Sequence, residues 1–315
     1  MADRPLDLVA LAAERLMREH IENARLEAEL LLAHVLGLRR IDLYLQFERP
    51  LTAEEVGRYR EVLRRRVRRE PLQYITGRAA FRELDLDVDP RVLIPRPETE
   101  LLVGVVLDWS RHVVDACGPE GDSTEAGGGV TSGGGEGAGR DGLTALDLGT
   151  GSGAIALSLL HEGPFARVVA TDVSAGALEV ARSNALRLGL ADRLELREGD
   201  LWGAVADERF DVIVSNPPYV AESERDSLMP EVRDWEPAAA LYSEGDPLAV
   251  TRSIVEGAPA RLRPGGLLAL EVAAGRMEGV RSLIDGAGAF GAVRVVRDHG
   301  GHERVVVVER LESGD

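Results

Sequence analysis

Asn216-Pro217-Pro218-Tyr219 concentrates the most chemistry in the fewest residues of this 315-residue chain. The side-chain oxygen of Asn216 and the backbone carbonyl of Pro217 are two neighbouring acceptors, and each can take one N–H of a planar amide or exocyclic amine. A nitrogen of that kind is a poor nucleophile because its lone pair is delocalised. Holding both of its protons sets it in line with an electrophilic methyl group and favours the pyramidal form that develops as the bond is made. The prolines stiffen the turn, and Tyr219 offers a flat ring against a planar group. Asn216, Pro217 and Tyr219 are therefore the candidate catalytic residues, and Asn216, Pro217, Pro218 and Tyr219 the candidate target-binding set. No strong general base is required, since the nitrogen becomes acidic as it is methylated and can lose its proton afterwards. The same four residues also make a credible turn without a ligand. Their place directly after the apolar run Val212-Ile213-Val214-Ser215 favours a site, because open α/β sheets bind ligands at the carboxyl ends of their strands.

A second constellation precedes it. In Leu146-Asp147-Leu148-Gly149-Thr150-Gly151-Ser152-Gly153 the glycines alternate, whereas the dinucleotide fingerprint places its third glycine one residue later. Bare amides at the opening of a helix let a ligand approach closely. The shifted spacing suits a loop under the methionine part of S-adenosylmethionine rather than a grip on a pyrophosphate. Gly149, Thr150, Gly151, Ser152 and Gly153 are the candidate cofactor residues. Asp172, about twenty residues on, closes the next strand where a carboxylate can accept both ribose hydroxyls. Asp200, Leu201 and Trp202 follow the strand after that, at the adenine end, and which of them covers the ring stays open. Asn216 completes the cofactor set. Asp147 and Asp200 also suit plain helix N-caps.

These residues need a scaffold, and the period of the apolar positions supplies one. Segments 143–148, 168–172, 194–198, 210–215 and 266–272 read as strands, and 154–161, 175–188, 249–262 and 277–286 as helices between them, with 293–298 and 303–309 as closing strands. This alternation predicts an α/β fold, a doubly wound and mostly parallel Rossmann-like sheet with helices on both faces. Residues 1–75 read as a small N-terminal helical bundle, in which Thr52, followed by Glu54 and Glu55, is a helix N-cap. Over 76–97, Phe81, Leu84, Leu86 and Val88 alternate with polar residues as in a short hairpin linker, and Pro90, Pro95 and Pro97 stiffen the entry to the catalytic unit, 98–315. Residues 118–142 form a Gly-, Ser- and Thr-rich tract without apolar periodicity, expected as a flexible surface insertion.

Composition narrows the class. A formal charge of −17 opposes a phosphate backbone, so no stable nucleic-acid partner is expected. Arg64, Arg65, Arg66, Arg68 and Arg69 form one local basic run, either a patch for an acidic partner or a solvated helix face. A single cysteine, Cys117, excludes an intrachain disulfide or a thiolate zinc site, and the six histidines show no metal spacing. No apolar stretch approaches the roughly 18 residues that span a bilayer. A cytoplasmic monomer is the expectation.

With these motifs in hand the chain resembles the release-factor glutamine methyltransferase family, also called the PrmC or HemK family. The resemblance runs over almost the whole length apart from the glycine-rich tract. It rests on Pro71-Leu72-Gln73-Tyr74-Ile75-Thr76-Gly77, Leu93-Ile94-Pro95-Arg96-Pro97-Glu98-Thr99-Glu100, the Asp147 to Gly153 loop, Asn216 to Tyr219, Glu236-Pro237 and Gly300-Gly301-His302-Glu303-Arg304. It implies a class I methyltransferase domain that uses S-adenosylmethionine to methylate the glutamine of a Gly-Gly-Gln loop in a peptide chain release factor, with the helical domain helping to dock that partner. Arg96, Glu98 and Thr99 match the segment lining the cleft, their roles open. Leu201 stands where some relatives carry an aromatic residue. A glutamine methyltransferase acting on a large-subunit ribosomal protein shares the motifs, a nucleic-acid amino-methyltransferase shares the pair of acceptors, and a non-catalytic binding module is the reading from a different class.

Overall fold

The computed structural model describes residues 4–116, 142–243 and 245–312. Cys117 and the glycine-rich tract, apart from Gly142, lie outside the described residues.

The chain begins with α1 (Pro5–Arg18), α2 (Ala24–Leu36), α3 (Arg40–Leu45), α4 (Ala53–Val67) and α5 (Leu72–Thr76). Helix α2 stops at Gly37, which adopts φ 65° and so ends the helix in the left-handed region. Helix α4 starts with the expected cap: Thr52 Oγ1 accepts the Glu55 N–H at 3.2 Å, and the Glu55 carboxylate accepts the Thr52 N–H at 2.8 Å. Val9, Leu16, Leu31, Leu32, Leu43 and Tyr59 close the core of this bundle.

A hairpin of β1 (Arg78–Phe81) and β2 (Leu84–Asp87) leads to the long helix α6 (Pro97–Ala116). The catalytic sheet then follows: β3 (Leu143–Leu148), α7 (Ala154–Glu162), β4 (Phe165–Asp172), α8 (Ala175–Leu188), β5 (Leu194–Glu198), β6 (Phe210–Ser215), α9 (Pro230–Trp235), α10 (Ala238–Leu241), α11 (Ala249–Arg261), β7 (Leu262–Glu271), α12 (Met277–Ala287), β8 (Arg294–Arg297) and β9 (Glu303–Glu309). Its order is β5-β4-β3-β6-β7-β9-β8, parallel through β7, with β9 antiparallel to both neighbours.

Both faces of this sheet are covered, which explains why its strands read as unbroken apolar runs. Ala145, Val168, Val212, Val214 and Leu267 pack towards α6, α7 and α8. The alternate residues Leu146, Leu148, Val169, Ile213 and Leu268 pack towards α11 and α12. Each fully buried Val, Leu or Ile among them contributes about 1.5–3 kcal/mol. No helix among the described residues is long and apolar enough to cross a membrane.

Strand order reverses between β3 and β6: the chain runs outward from β3 through β4 to β5, then returns to the other side of β3 with β6. Crevices at such switch points bind ligands at the carboxyl ends of the strands. The glycine loop leaves β3 here and Asn216 leaves β6. Ser215 Oγ, donating to the Leu148 carbonyl at 2.7 Å, ties the two strand ends together.

Candidate active site

The glycine loop is shaped by backbone conformations that side chains avoid. Gly149, Gly151 and Gly153 have φ of 75°, 55° and 83°. A Cβ at Gly149 or Gly151 would meet nothing within 4 Å, so those two glycines are required by their left-handed backbone and also leave the loop surface open. Gly149 and Thr150 donate to the Thr171 carbonyl, each at 2.9 Å, which presses the loop onto the end of β4. Asp172 finishes the job: one carboxylate oxygen accepts the Gly151 N–H at 2.9 Å and the other the Ser174 N–H at 2.9 Å.

Asp147 lies beneath the loop, fully buried. Its Oδ2 accepts the Thr150 hydroxyl at 2.7 Å and the Ala156 N–H in the first turn of α7 at 3.2 Å, so it caps that helix from a distance. Burial pushes its carboxyl up to about 7. Its Oδ1 has no hydrogen-bond partner among the described residues. Ser152 is held through its carbonyl, which accepts from the Asn184 side chain at 3.0 Å. Asn184 also exchanges a pair of hydrogen bonds with the Asp87 backbone, at 2.7 and 3.0 Å, and so bolts the hairpin, α8 and the glycine loop together.

After β5, Asp200 is exposed and Leu201 half-buried. Asp200 caps no helix with its side chain. The Trp202 ring lies along α11 over Gly257, its indole N–H donates to the Ser253 carbonyl at 2.8 Å, and the Arg261 guanidinium sits 5.0 Å from its centroid. Trp202 is thus anchored by packing, and Leu201 is its half-buried neighbour.

Across the crevice, Asn216 Nδ2 donates to Thr99 Oγ1 at 3.1 Å, and that hydroxyl donates to Glu271 Oε2 at 2.6 Å. Thr99 sits in the first turn of α6 and Glu271 ends β7, so three separate elements meet on the Asn216 amide. Among the described residues no donor reaches Asn216 Oδ1 or the Pro217 carbonyl. Pro217 is buried, Pro218 and Tyr219 half-buried. Burial raises the Tyr219 hydroxyl to about 12. The segment beyond is pinned by Val220, which pairs with Tyr242 after α10.

Charged groups rim this end. Arg96 makes two contacts with Glu236, at 2.7 and 2.8 Å, and Glu236 is nearly inaccessible. Burial raises the Glu236 carboxyl, with Arg96 opposing the shift. Arg304, opening β9, donates to Asp298 at 2.9 Å; that bond and the His302 N–H hold the Asp298 carboxyl at about 2. Tyr74 donates to the Val92 carbonyl at 2.6 Å and packs with Val92, Ile94 and Trp235, which places the segment carrying Arg96 over the crevice.

Of the two readings of the arginine run, a patch for an acidic partner or a solvated helix face, the structure matches neither in full. Arg66 is buried, donating to Glu27 at 2.5 Å and to Glu231 of α9 at 2.9 Å, and Arg69 reaches the same Glu231 at 2.7 Å. Arg65 pairs with Glu70, and Arg64 with Glu61. Arg64 and Arg65 pair locally at the surface, whereas Arg66 and Arg69 form a clasp between the C-terminal end of α4 and the segment following the Asn216 motif. No cluster of metal-binding side chains occurs among the described residues.

The family model of the PrmC N-terminal domain matches residues 7–77, and that of the methyltransferase small domain residues 139–233. The chain is 40% identical to the release factor glutamine methyltransferase of Geobacter sulfurreducens over 92% of its own length and 91% of the relative's. The chain belongs to the release factor glutamine methyltransferase family. To the release factor glutamine methyltransferase of Moorella thermoacetica it is 39% identical, over 96% of this chain and 97% of that one. Among solved structures, the catalytic domain of hMettl16 in complex with MAT2A 3'UTR hairpin 6 superposes with a TM-score of 0.52 at 14% identity, covering 73% of this chain and 77% of that chain, a likeness of fold alone. Within this member of the family, motif reading had not singled out Glu271 or Asn184. Glu271 did carry a signal, since it is an acid closing an apolar strand, as Asp172 is. Asn184, inside a helix, carried none.

Proposed function

We propose that the protein transfers the methyl group of S-adenosylmethionine to the side-chain amide nitrogen of a glutamine in a peptide chain release factor, the glutamine of its Gly-Gly-Gln loop. The observation that carries this reading is the Asn216 amide, whose nitrogen is committed to Thr99 while its oxygen and the Pro217 carbonyl are left as two acceptors beside the glycine loop. A primary amide presents two N–H donors on one nitrogen, and two acceptors hold both.

The loop fits an adenosyl cofactor: Gly149 and Gly151 leave its surface clear, and the buried Asp147 keeps one oxygen in reserve. Gly149, Thr150, Gly151, Ser152 and Gly153 would hold its methionine part, Asp172 its ribose, and the Asp200–Trp202 segment its adenine, with Leu201 the side chain nearest to hand. When bound, it supplies an electrophilic methyl on a sulfonium. Asn216 and Pro217 hold the glutamine nitrogen by its protons, and as its lone pair turns to the methyl its N–H bonds become stronger donors, so both acceptors bind the transition state more tightly than the ground state. The half-buried Tyr219 ring would lie flat beside the planar amide. The surplus amide proton would pass to water once the nitrogen carries the methyl. The engagement of Arg66 and Arg69 by Glu231 and the charge of −17 support a protein target over a nucleic acid.

Asn216→Ala tests the reading. Loss of one such acceptor costs about 2–4 kcal/mol of transition-state binding, a fall in kcat/KM of roughly 30- to 1000-fold towards a release factor. Near-normal turnover by this variant would remove Asn216 from the mechanism.

A further inference from the structure

We propose that Glu271 and Thr99 are positioning residues that set the polarity of the Asn216 amide, turning its carbonyl oxygen towards the target nitrogen. The inference rests on the reading of Asn216 as an acceptor given above. A side-chain amide has two nearly isosteric ends, and Asn216 could face the crevice with either one. Only its oxygen is useful there, because its NH2 would oppose the N–H groups of the target.

The choice is made from the buried side. An ionised carboxylate is acceptor-only, a hydroxyl has one proton, and an amide nitrogen only donates. The Thr99 proton goes to Glu271 over 2.6 Å, so the Thr99 oxygen faces Asn216 with lone pairs alone and takes an amide proton over 3.1 Å. Glu271 and Thr99 are both buried, which leaves no solvent to substitute for either bond. The chain of donors has one direction, and its end is the Asn216 oxygen pointing outward.

Protonation of Glu271 would let the chain run backwards: a carboxylic acid can donate to Thr99, Thr99 can then donate to Asn216 Oδ1, and the amide turns its NH2 outward. The groups facing this carboxyl are Thr99 and Glu98 of α6, Arg96 before it, Tyr219 after β6 and Arg304 of β9. Burial raises it to about 7, with Glu98 adding to the rise and Thr99, Arg304 and Arg96 opposing it. Turnover therefore has an acid limb near neutrality that belongs to Glu271.

The test is the pH profile of kcat at saturating S-adenosylmethionine and release factor, for the wild-type chain, Glu271→Gln, Thr99→Val and Thr99→Ser, with cofactor affinity by calorimetry. Thr99→Val, isosteric but without the hydroxyl, should lower kcat on the order of 10²-fold with cofactor affinity unchanged, and Thr99→Ser should recover most of that loss. Glu271→Gln cannot change its charge and, like the protonated acid, offers Thr99 a donor as well as an acceptor, so its acid limb should disappear and its kcat should be low across the whole pH range. The two threonine variants keep the test open should the glutamine variant not fold. A Thr99→Val kcat like wild type, a Thr99→Ser variant as slow as Thr99→Val, or an unchanged acid limb in folded Glu271→Gln would each overturn the proposal. If Asn216→Ala is crippled while Thr99→Val is not, the relay fails and the acceptor role of Asn216 stands. If Asn216→Ala is itself active, the underlying reading fails.

Discussion

Replacing Gly257 by alanine should destabilise the protein, although helix propensity alone gives the opposite sign. Gly257 lies inside α11, where alanine is better than glycine by about 0.8–1 kcal/mol. A Cβ added there would stand 2.1 Å from the Trp202 indole nitrogen and 2.4 Å from the adjoining ring carbon. A rigid ring cannot yield as a flexible chain end does, and this one is held by its hydrogen bond to the Ser253 carbonyl. Forcing it away costs about 1–3 kcal/mol for overpacking and about 0.5–1.5 kcal/mol for the lost hydrogen bond. Set against the propensity gain, the net loss is about 0.5–3.5 kcal/mol. Denaturant unfolding of Gly257→Ala and of Gly257→Ala/Trp202→Ala measures it. In the Trp202→Ala background the obstacle is gone, so the same glycine substitution should become stabilising by up to about 1 kcal/mol. Stabilisation by Gly257→Ala with Trp202 present would refute the placement of that ring on α11. Cofactor affinity should fall in the single variant as well, since Leu201 precedes the displaced residue.

Glu231→Gln should cost about 1–3 kcal/mol, below the full value for stripping a buried pair because Arg66 keeps Glu27. Against its burial, the Glu231 carboxyl is lowered by its own backbone N–H and by Arg66 and Arg69, so the stability it confers is present above the ordinary glutamate range and lost as pH falls; the deficit of the variant should shrink in acid. A constant deficit in denaturant unfolding from pH 7 to the acid side would contradict the clasp. Asp147 has the opposite sign: its carboxyl is raised from 3.8 to about 7, so its contribution is fully present below the lower value and lost as pH rises through the upper one. In cofactor-free protein, Asp147→Asn should therefore flatten the decline in stability between pH 5 and pH 8, and an unchanged decline would show that the group stays ionised throughout.

The strands and their order of appearance were legible because both faces of the sheet are buried, so 143–148 and 210–215 are almost wholly apolar and match β3 and β6. The cap at Thr52 was legible because its partner Glu55 lies three residues away. Edges were less so. Strand β4 begins at Phe165 rather than at 168, and β7 at Leu262 rather than at 266, because the chain enters that strand through a register irregularity around Pro264, Gly265 and Gly266 that local pattern reads as a break. The glycine loop and the Asn216 motif were located by residue type and spacing, and both leave strand ends at the switch point of the sheet.

What surrounds them depended on distant partners. Glu271 acquires meaning only when Thr99, 172 residues earlier, is docked against it by α6. The arginines of α4 look like a charged face until Glu231, some 160 residues later, turns two of them inward. Long-range polar pairing leaves no periodic trace in a sequence, whereas burial and local capping do.

The most direct test of the account is mass spectrometry of a release factor carrying the Gly-Gly-Gln loop, after incubation with the protein and S-adenosylmethionine. One added methyl is expected on the side-chain amide of that glutamine, absent with Asn216→Ala. No methyl on the release factor, with transfer instead to a ribosomal protein or to nucleic acid, would contradict it while leaving the cofactor loop in place.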